Sequence, residues 1–237
     1  VKKQRSEIRV SALAALSMAV LSASCGLIDV DSFNTIPFDI PPQSFVVDSD
    51  SPDFKKPPVG AVPAVPCAGT DTSTCCAVPG VDCGKYPLVC RENKCAFLYT
   101  FEQTQTIDLA MTVPSLKQAG NSSLSAVNLK SLQYDVRNNL TTTLPPVEIW
   151  VAPANVKTKN NAAARKVTTL PAQAAMSNGM QTVVVDAAGQ AAFSSFARNH
   201  KTPFNLITVI DMSLSGGQIV PQGKANITIT GRVEAKF

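Results

Sequence analysis

The sequence predicts a mostly β protein: an antiparallel β-sandwich, immunoglobulin-like or jelly-roll-like, with a small disulfide-rich module. Three observations lead there. Downstream of residue 97, apolar and polar residues alternate in short runs separated by turn residues such as Asn138-Asn139, Pro145-Pro146 and Gly216-Gly217, the pattern of half-buried strands. Six cysteines fall within the 29 residues from Cys67 to Cys95. Seventeen prolines amid many Thr, Val, Asn and Gln favour strands and turns over long helices.

In chain order, residues 1–24 read as a signal peptide. Lys2, Lys3, Arg5 and Arg9 make a basic tip, and Val10 to Leu21 is an apolar run of twelve residues without a charge. Basic tip, apolar run and small residues are the parts of a secretory signal. The run is too short to cross a bilayer, which takes about 20 residues. It ends in Leu21-Ser22-Ala23-Ser24-Cys25-Gly26, which resembles the lipobox of bacterial lipoproteins. That resemblance implies cleavage before Cys25 and acylation of its thiol, a palmitate-type anchor, and Gly26 implies the outer membrane. Burying acyl chains contributes about 0.8 kcal/mol per CH₂, so several chains hold firmly. A conventional signal peptide would instead leave Cys25 as a thiol on a secreted protein. Losing the signal removes four basic residues and one acid, so the formal charge falls from +4 to +1. No nucleic-acid partner is expected of so nearly neutral a chain.

Residues 25–66 read as an acidic, then proline-rich tether. Lys55 to Pro66 has the composition of an extended polyproline-like linker. Within the tether, Phe38 and Ile40, then Phe45 and Val47 past Pro41-Pro42, show the period of a half-buried strand over 35–47, and the prolines restrict it to an edge.

Residues 67–96 form the cysteine module: Cys67, Cys75, Cys76, Cys83, Cys90 and Cys95. An even set behind an export signal predicts three disulfides, whose pairing the spacing leaves open. A small segment with few large apolar residues usually needs such staples. Zinc is the rival reading, but the C-x-x-C spacing of zinc sites is absent.

Residues 97–237 read as the sandwich. Strands are predicted over 98–111, 124–136 with a bulge between Leu129 and Leu132, 147–151, 164–170, 181–186, 204–214 and 225–237. Ala191 to Asn199 is the one predicted helix, with Phe193, Phe196 and Ala197 on a shared face.

Candidates for chemistry are few, and no catalytic residue, metal or cofactor is expected. His200 is the only histidine and sits between Arg198 and Lys201, so it reads as an exposed loop residue. A single histidine cannot build the common His-based zinc sites. Glu102, Asp108, Asp135, Glu148, Asp186, Asp211 and Glu234 could supply the paired carboxylates of a glycosidase only if two converge in a cleft. Trp150 and Tyr134 could form an aromatic binding patch; the parity of Val147 to Val151 sets Trp150 beside Glu148, opposite the apolar residues. The expectation is a non-enzymatic, membrane-anchored cell-envelope lipoprotein that binds an envelope protein or glycan, or serves as structure. The alternatives are an exported hydrolase acting through carboxylates and a secreted cysteine-rich inhibitor.

Overall fold

The computed structural model describes residues 35–52, 54, 60–68, 75, 86–118 and 124–237. Cys25, Cys76 and Cys83 lie outside the described residues. In order the elements are β1 (Thr35–Asp48), β2 (Leu88–Arg91), β3 (Lys94–Ile107), α1 (Leu109–Thr112), α2 (Pro114–Gln118), β4 (Ala126–Asn138), β5 (Val147–Pro153), β6 (Arg165–Leu170), β7 (Ser177–Val183), α3 (Ala187–Ala197), β8 (Phe204–Ser215) and β9 (Lys224–Lys236). Strands run in two sheets, β1-β9-β4-β7 and β2-β3-β8-β5-β6. The pairings β2–β3, β3–β8, β5–β8, β5–β6, β4–β9 and β4–β7 are antiparallel. This is the predicted antiparallel β-sandwich.

Alternation explains the core. Along β9, Ala225, Ile227, Ile229, Val233 and Ala235 turn inward, and in β5 Val147, Ile149 and Val151 do the same from the facing sheet. β1 keeps its face inward by changing parity at Pro41-Pro42: Phe38 and Ile40 are buried before the break, Phe45 and Val47 after it. Gln43 Nε2 spans the break by donating to Pro41 O (2.7 Å). In β4 the register against β9 shifts between Leu129 and Ser131, the bulge expected there. α3 buries Phe193 and Ala197 and packs Phe196 against the same core.

Several boundaries differ from the sequence reading. The strand predicted to reach Met111 stops at Ile107, because the Asp108 side chain accepts from Met111 N (3.0 Å) and caps α1. Pro114 then opens α2, a first-turn position where its missing N–H costs nothing. The strand read over 181–186 is β7, which starts four residues earlier at Ser177 and stops at Val183, short of Asp186, which accepts from Gly189 N (2.7 Å) as the cap of α3.

The described part of the proline-rich stretch, residues 60–66, is no free tether. Ala61 bridges Ile219, Val62 N donates to Gln218 O (2.8 Å), and Val220 N to Gly60 O (3.0 Å). Val62 is buried. Nor does the sheet begin at residue 97: β2 and β3 form a hairpin whose turn residues, Glu92 and Asn93, both have positive φ (52° and 58°). Cys90 and Cys95 face each other across that hairpin yet bond elsewhere, in Cys67–Cys90 and Cys75–Cys95. The cysteine segment shares a second small core with the sheet, built from Phe54, Val62, Leu88, Phe97, Met212 and Val220 around those cysteines. Ile36–Phe237 clusters as one unit.

Candidate functional site

The central strand β8 presents Asn205, Ile207, Val209 and Asp211 to the outside of the five-stranded sheet. Pairing sets Thr100 beside Asp211, Glu102 and Glu148 on either side of Val209, and Trp150 beside Ile207. The connection from Ala154 to Ala164 folds back over this face as a strap. Asn205 Nδ2 donates to Ala154 O (2.9 Å) and Val156 O (2.8 Å), Thr104 Oγ1 to Lys157 O (3.1 Å), and Lys159 N to Glu102 Oε1 (3.2 Å). Beneath it Ala152, Val156, Ala164, Ile207 and Val209 form a third apolar cluster with Trp150 packed against it.

Lys159 closes the strap. Its Nζ lies 2.5 Å from Asp211 Oδ2 and 3.3 Å from Glu148 Oε2. Glu148 also pairs with Lys166 (2.6 Å) and accepts from Trp150 Nε1 (3.2 Å); Asp211 accepts from Thr100 Oγ1 (2.7 Å). Burial pushes the Glu148 carboxyl up, but bonds from Lys166, Trp150 and Lys159 outweigh it and hold the group below the usual carboxylate range. Asp211 is likewise lowered: burial is outweighed by Lys159 and Thr100. Lys159 is raised, with burial overcome by Asp211 and Glu148. Both carboxylates therefore stay ionised near neutrality, whereas a general acid for glycoside cleavage must keep its proton there. The arrangement stores compensated charge and fastens a loop.

Tyr134 is not in this group. It lies in β4 of the other sheet, 1% exposed, and its hydroxyl donates to Gln181 Oε1 (2.8 Å). The aromatic patch of Trp150 and Tyr134 is thus corrected: β4 turns Tyr134 into the core, and burial raises its phenol. His200 is corrected too. It is 3% exposed, and burial, then the Lys201 charge, lowers its imidazole. Of the seven acids, Glu102, Glu148 and Asp211 converge. Asp108 and Asp186 cap helices, Asp135 lies 4.0 Å from Arg137, and Glu234 pairs with Lys130 (2.7 Å). Among the described residues no group of three His, Cys, Asp or Glu could hold a metal ion. Nor is any described helix long and apolar enough to cross a membrane.

The outer face of the four-stranded sheet has a different character. Two shallow depressions run along it beside β1. Asp39, Pro42, Ser131, Gln133, Thr230 and Arg232 are among the residues of one, and Ser44, Val46, Asp135, Arg137, Asn226 and Thr228 among those of the other. Among the described residues no loop crosses them in the way the strap crosses the opposite face. The sequence held the signal for this surface: strict alternation in the last strand sets Asn226, Thr228, Thr230 and Arg232 on one side. No single aromatic or acidic residue marks it, because its chemistry belongs to a row and not to any one side chain.

No protein-family model matches the chain, and no curated protein does. Among solved structures, Turnip yellow mosaic virus aligns at 12% identity over 75% of this chain and 94% of that chain, with a TM-score of 0.24. Israeli acute paralysis virus aligns at 10% over 100% and 84% (TM-score 0.31), and a study of carbohydrate-binding modules of the β-sandwich superfamily at 7% over 83% and 54% (TM-score 0.26). Similarities this loose carry no argument, and the fold class rests on the strand pairing itself.

Proposed function

We propose that this chain is a non-enzymatic lipoprotein of the bacterial cell envelope, held at the outer membrane by lipid on Cys25, and that its sandwich serves as a binding or structural module. The observation that carries the reading is the contrast between the two outer faces. One is strapped down, with Glu148, Asp211 and Lys159 spent on one another. The other is an open row of amides, hydroxyls and two arginines beside the β1 edge. Such a face suits polar, hydroxyl-rich or mixed-charge ligands, and an envelope glycan or protein offers those groups.

The test is calorimetry of the purified chain against solubilised envelope glycan and envelope protein fractions, beside a Gln133→Ala/Arg232→Ala variant. The reading expects saturable binding that falls at least about tenfold in the variant, the loss of roughly 1.4 kcal/mol. Equal binding by the variant would remove the site. A hydrolase draws support from the convergence of Glu102, Glu148 and Asp211, and turnover of those fractions that Glu148→Gln abolishes would establish it instead.

A further inference from the structure

A β-sandwich has sheet edges whose free N–H and C=O groups invite another strand, and folded proteins usually guard them with prolines, charges, short strands or covering segments. Three of the four edges here are guarded. β1 carries Pro37, Pro41 and Pro42, and β3 covers its flank: Gln105 Nε2 donates to Ser44 O (2.5 Å), and Val46 N to Gln103 Oε1 (3.2 Å). β2 is only Leu88–Arg91, and its Leu88 O accepts from Cys75 N (3.4 Å). β6 begins Arg165-Lys166, and α3 lies so close that a Cβ on Gly189 would meet Val167 O at 1.9 Å.

Among the described residues β7 has none of these devices, and its one strand neighbour is β4. No charge occurs between Lys166 and Asp186, and no proline within the strand. Three of the six large apolar residues exposed among the described ones stand on it or at its ends: Met176 (71%), Met180 (70%) and Val184 (89%). Met180 pairs with Asp135 and so shares the outer face of the sheet. Met176 and Val184, four residues either way, have the same parity.

That spacing is symmetric about Met180. A two-fold axis beside Met180 would set a second copy of β7 antiparallel to the first, with Met180 opposite Met180, Met176 opposite Val184 and Asn178 opposite Thr182. Every exposed apolar side chain then meets another, polar meets polar, and no charge is buried. An isologous contact of this kind closes on itself and forms a dimer, not a filament. We infer that β7 is a homodimerisation edge, joining the four-stranded sheets of two copies into one continuous sheet in the register centred on Met180. The inference goes beyond the proposed binding role and does not depend on the lipid anchor.

The test is cysteine cross-linking of the full chain, with linked peptides identified by mass spectrometry. Directly opposed residues lie about 4.5–5.5 Å apart at Cα, within disulfide range. Met180→Cys should link to itself across two copies. Asn178→Cys and Thr182→Cys should each fail to self-link, because about four residues of strand separate each from its own copy. The two mixed should link to one another. Met180→Lys, which opposes two ammonium groups, should abolish association while leaving the monomer folded, as read by its thermal midpoint. Absence of a Met180→Cys adduct, equal self-linking at all three positions, or an adduct with a different protein would each overturn the inference.

Discussion

Single buried residues set the pH response and leave one reserve of stability unused. Thr208 is fully buried in mid-β8, and its Oγ1 has no hydrogen-bond partner. A buried hydroxyl without a partner costs free energy that an isosteric methyl does not. Thr208→Val should therefore raise stability by about 1 kcal/mol, or about 3 °C in a thermal melt. His200 acts through its proton. Its folded imidazole titrates below the ordinary value near 6.5, so the unfolded chain binds the proton more readily. Its contribution is complete above the ordinary value and is lost as pH falls through it toward the folded one. Denaturant midpoints measured from about pH 7 to 5 should decline in the native chain, and the decline should shrink in His200→Gln, whatever the variant's absolute stability. An unchanged slope would mean that His200 does not titrate there.

Among elements, glutamine amides do the work of missing strands. Gln103 and Gln105 meet the backbone of β1, and Gln190 of α3 meets Leu129 of β4 at both its N–H (3.0 Å) and its carbonyl (2.5 Å), beyond the end of β7. α3 can reach that position because Gly189 lets its backbone lie against Val167. In an open helix Gly→Ala stabilises by about 1 kcal/mol. Here the added methyl has no room, and Gly189→Ala should cost about 2 kcal/mol, seen as a lower denaturant midpoint. A higher midpoint would contradict the packing described. This is also the scale at which sequence reading succeeded and stopped. Alternation located every strand from β4 onward to within a few residues, since burial of one sheet face leaves a period of two. The α1 turn was hidden because Asp108 reads equally as a polar strand residue and as a helix cap. The β2–β3 hairpin was hidden because Glu92-Asn93 lacks the glycine that usually marks two left-handed residues in a tight turn. The strap was hidden because Lys159 is joined to Glu148 and Asp211 by tertiary structure alone. Tyr134 shows the limit most clearly: its inward parity was legible, whereas its partner Gln181 depends on the β4–β7 register.

For the whole molecule, residues 60–66 and the bridged Cys67 and Cys75 are joined to the sandwich. Gly60 to Ala64 lies along the turn between β8 and β9, Val65 and Pro66 lie against the start of β3, and two disulfides draw residues 67 and 75 onto the β2–β3 hairpin. Phe54 meets Tyr99 edge-on (4.9 Å between ring centres) in the same small core. The described chain is therefore secured to the five-stranded sheet well before residue 97. The lipoprotein reading proposed above would set this module close to the membrane that holds its lipid. The intact mass of the protein extracted from membranes, before and after reduction and beside a Cys25→Ser variant, tests this account most directly. It predicts a chain beginning at Cys25, heavier by its acyl groups, that gains six hydrogens on reduction, and a variant released from the membrane. An unmodified Cys25 on a protein free in the medium would contradict it.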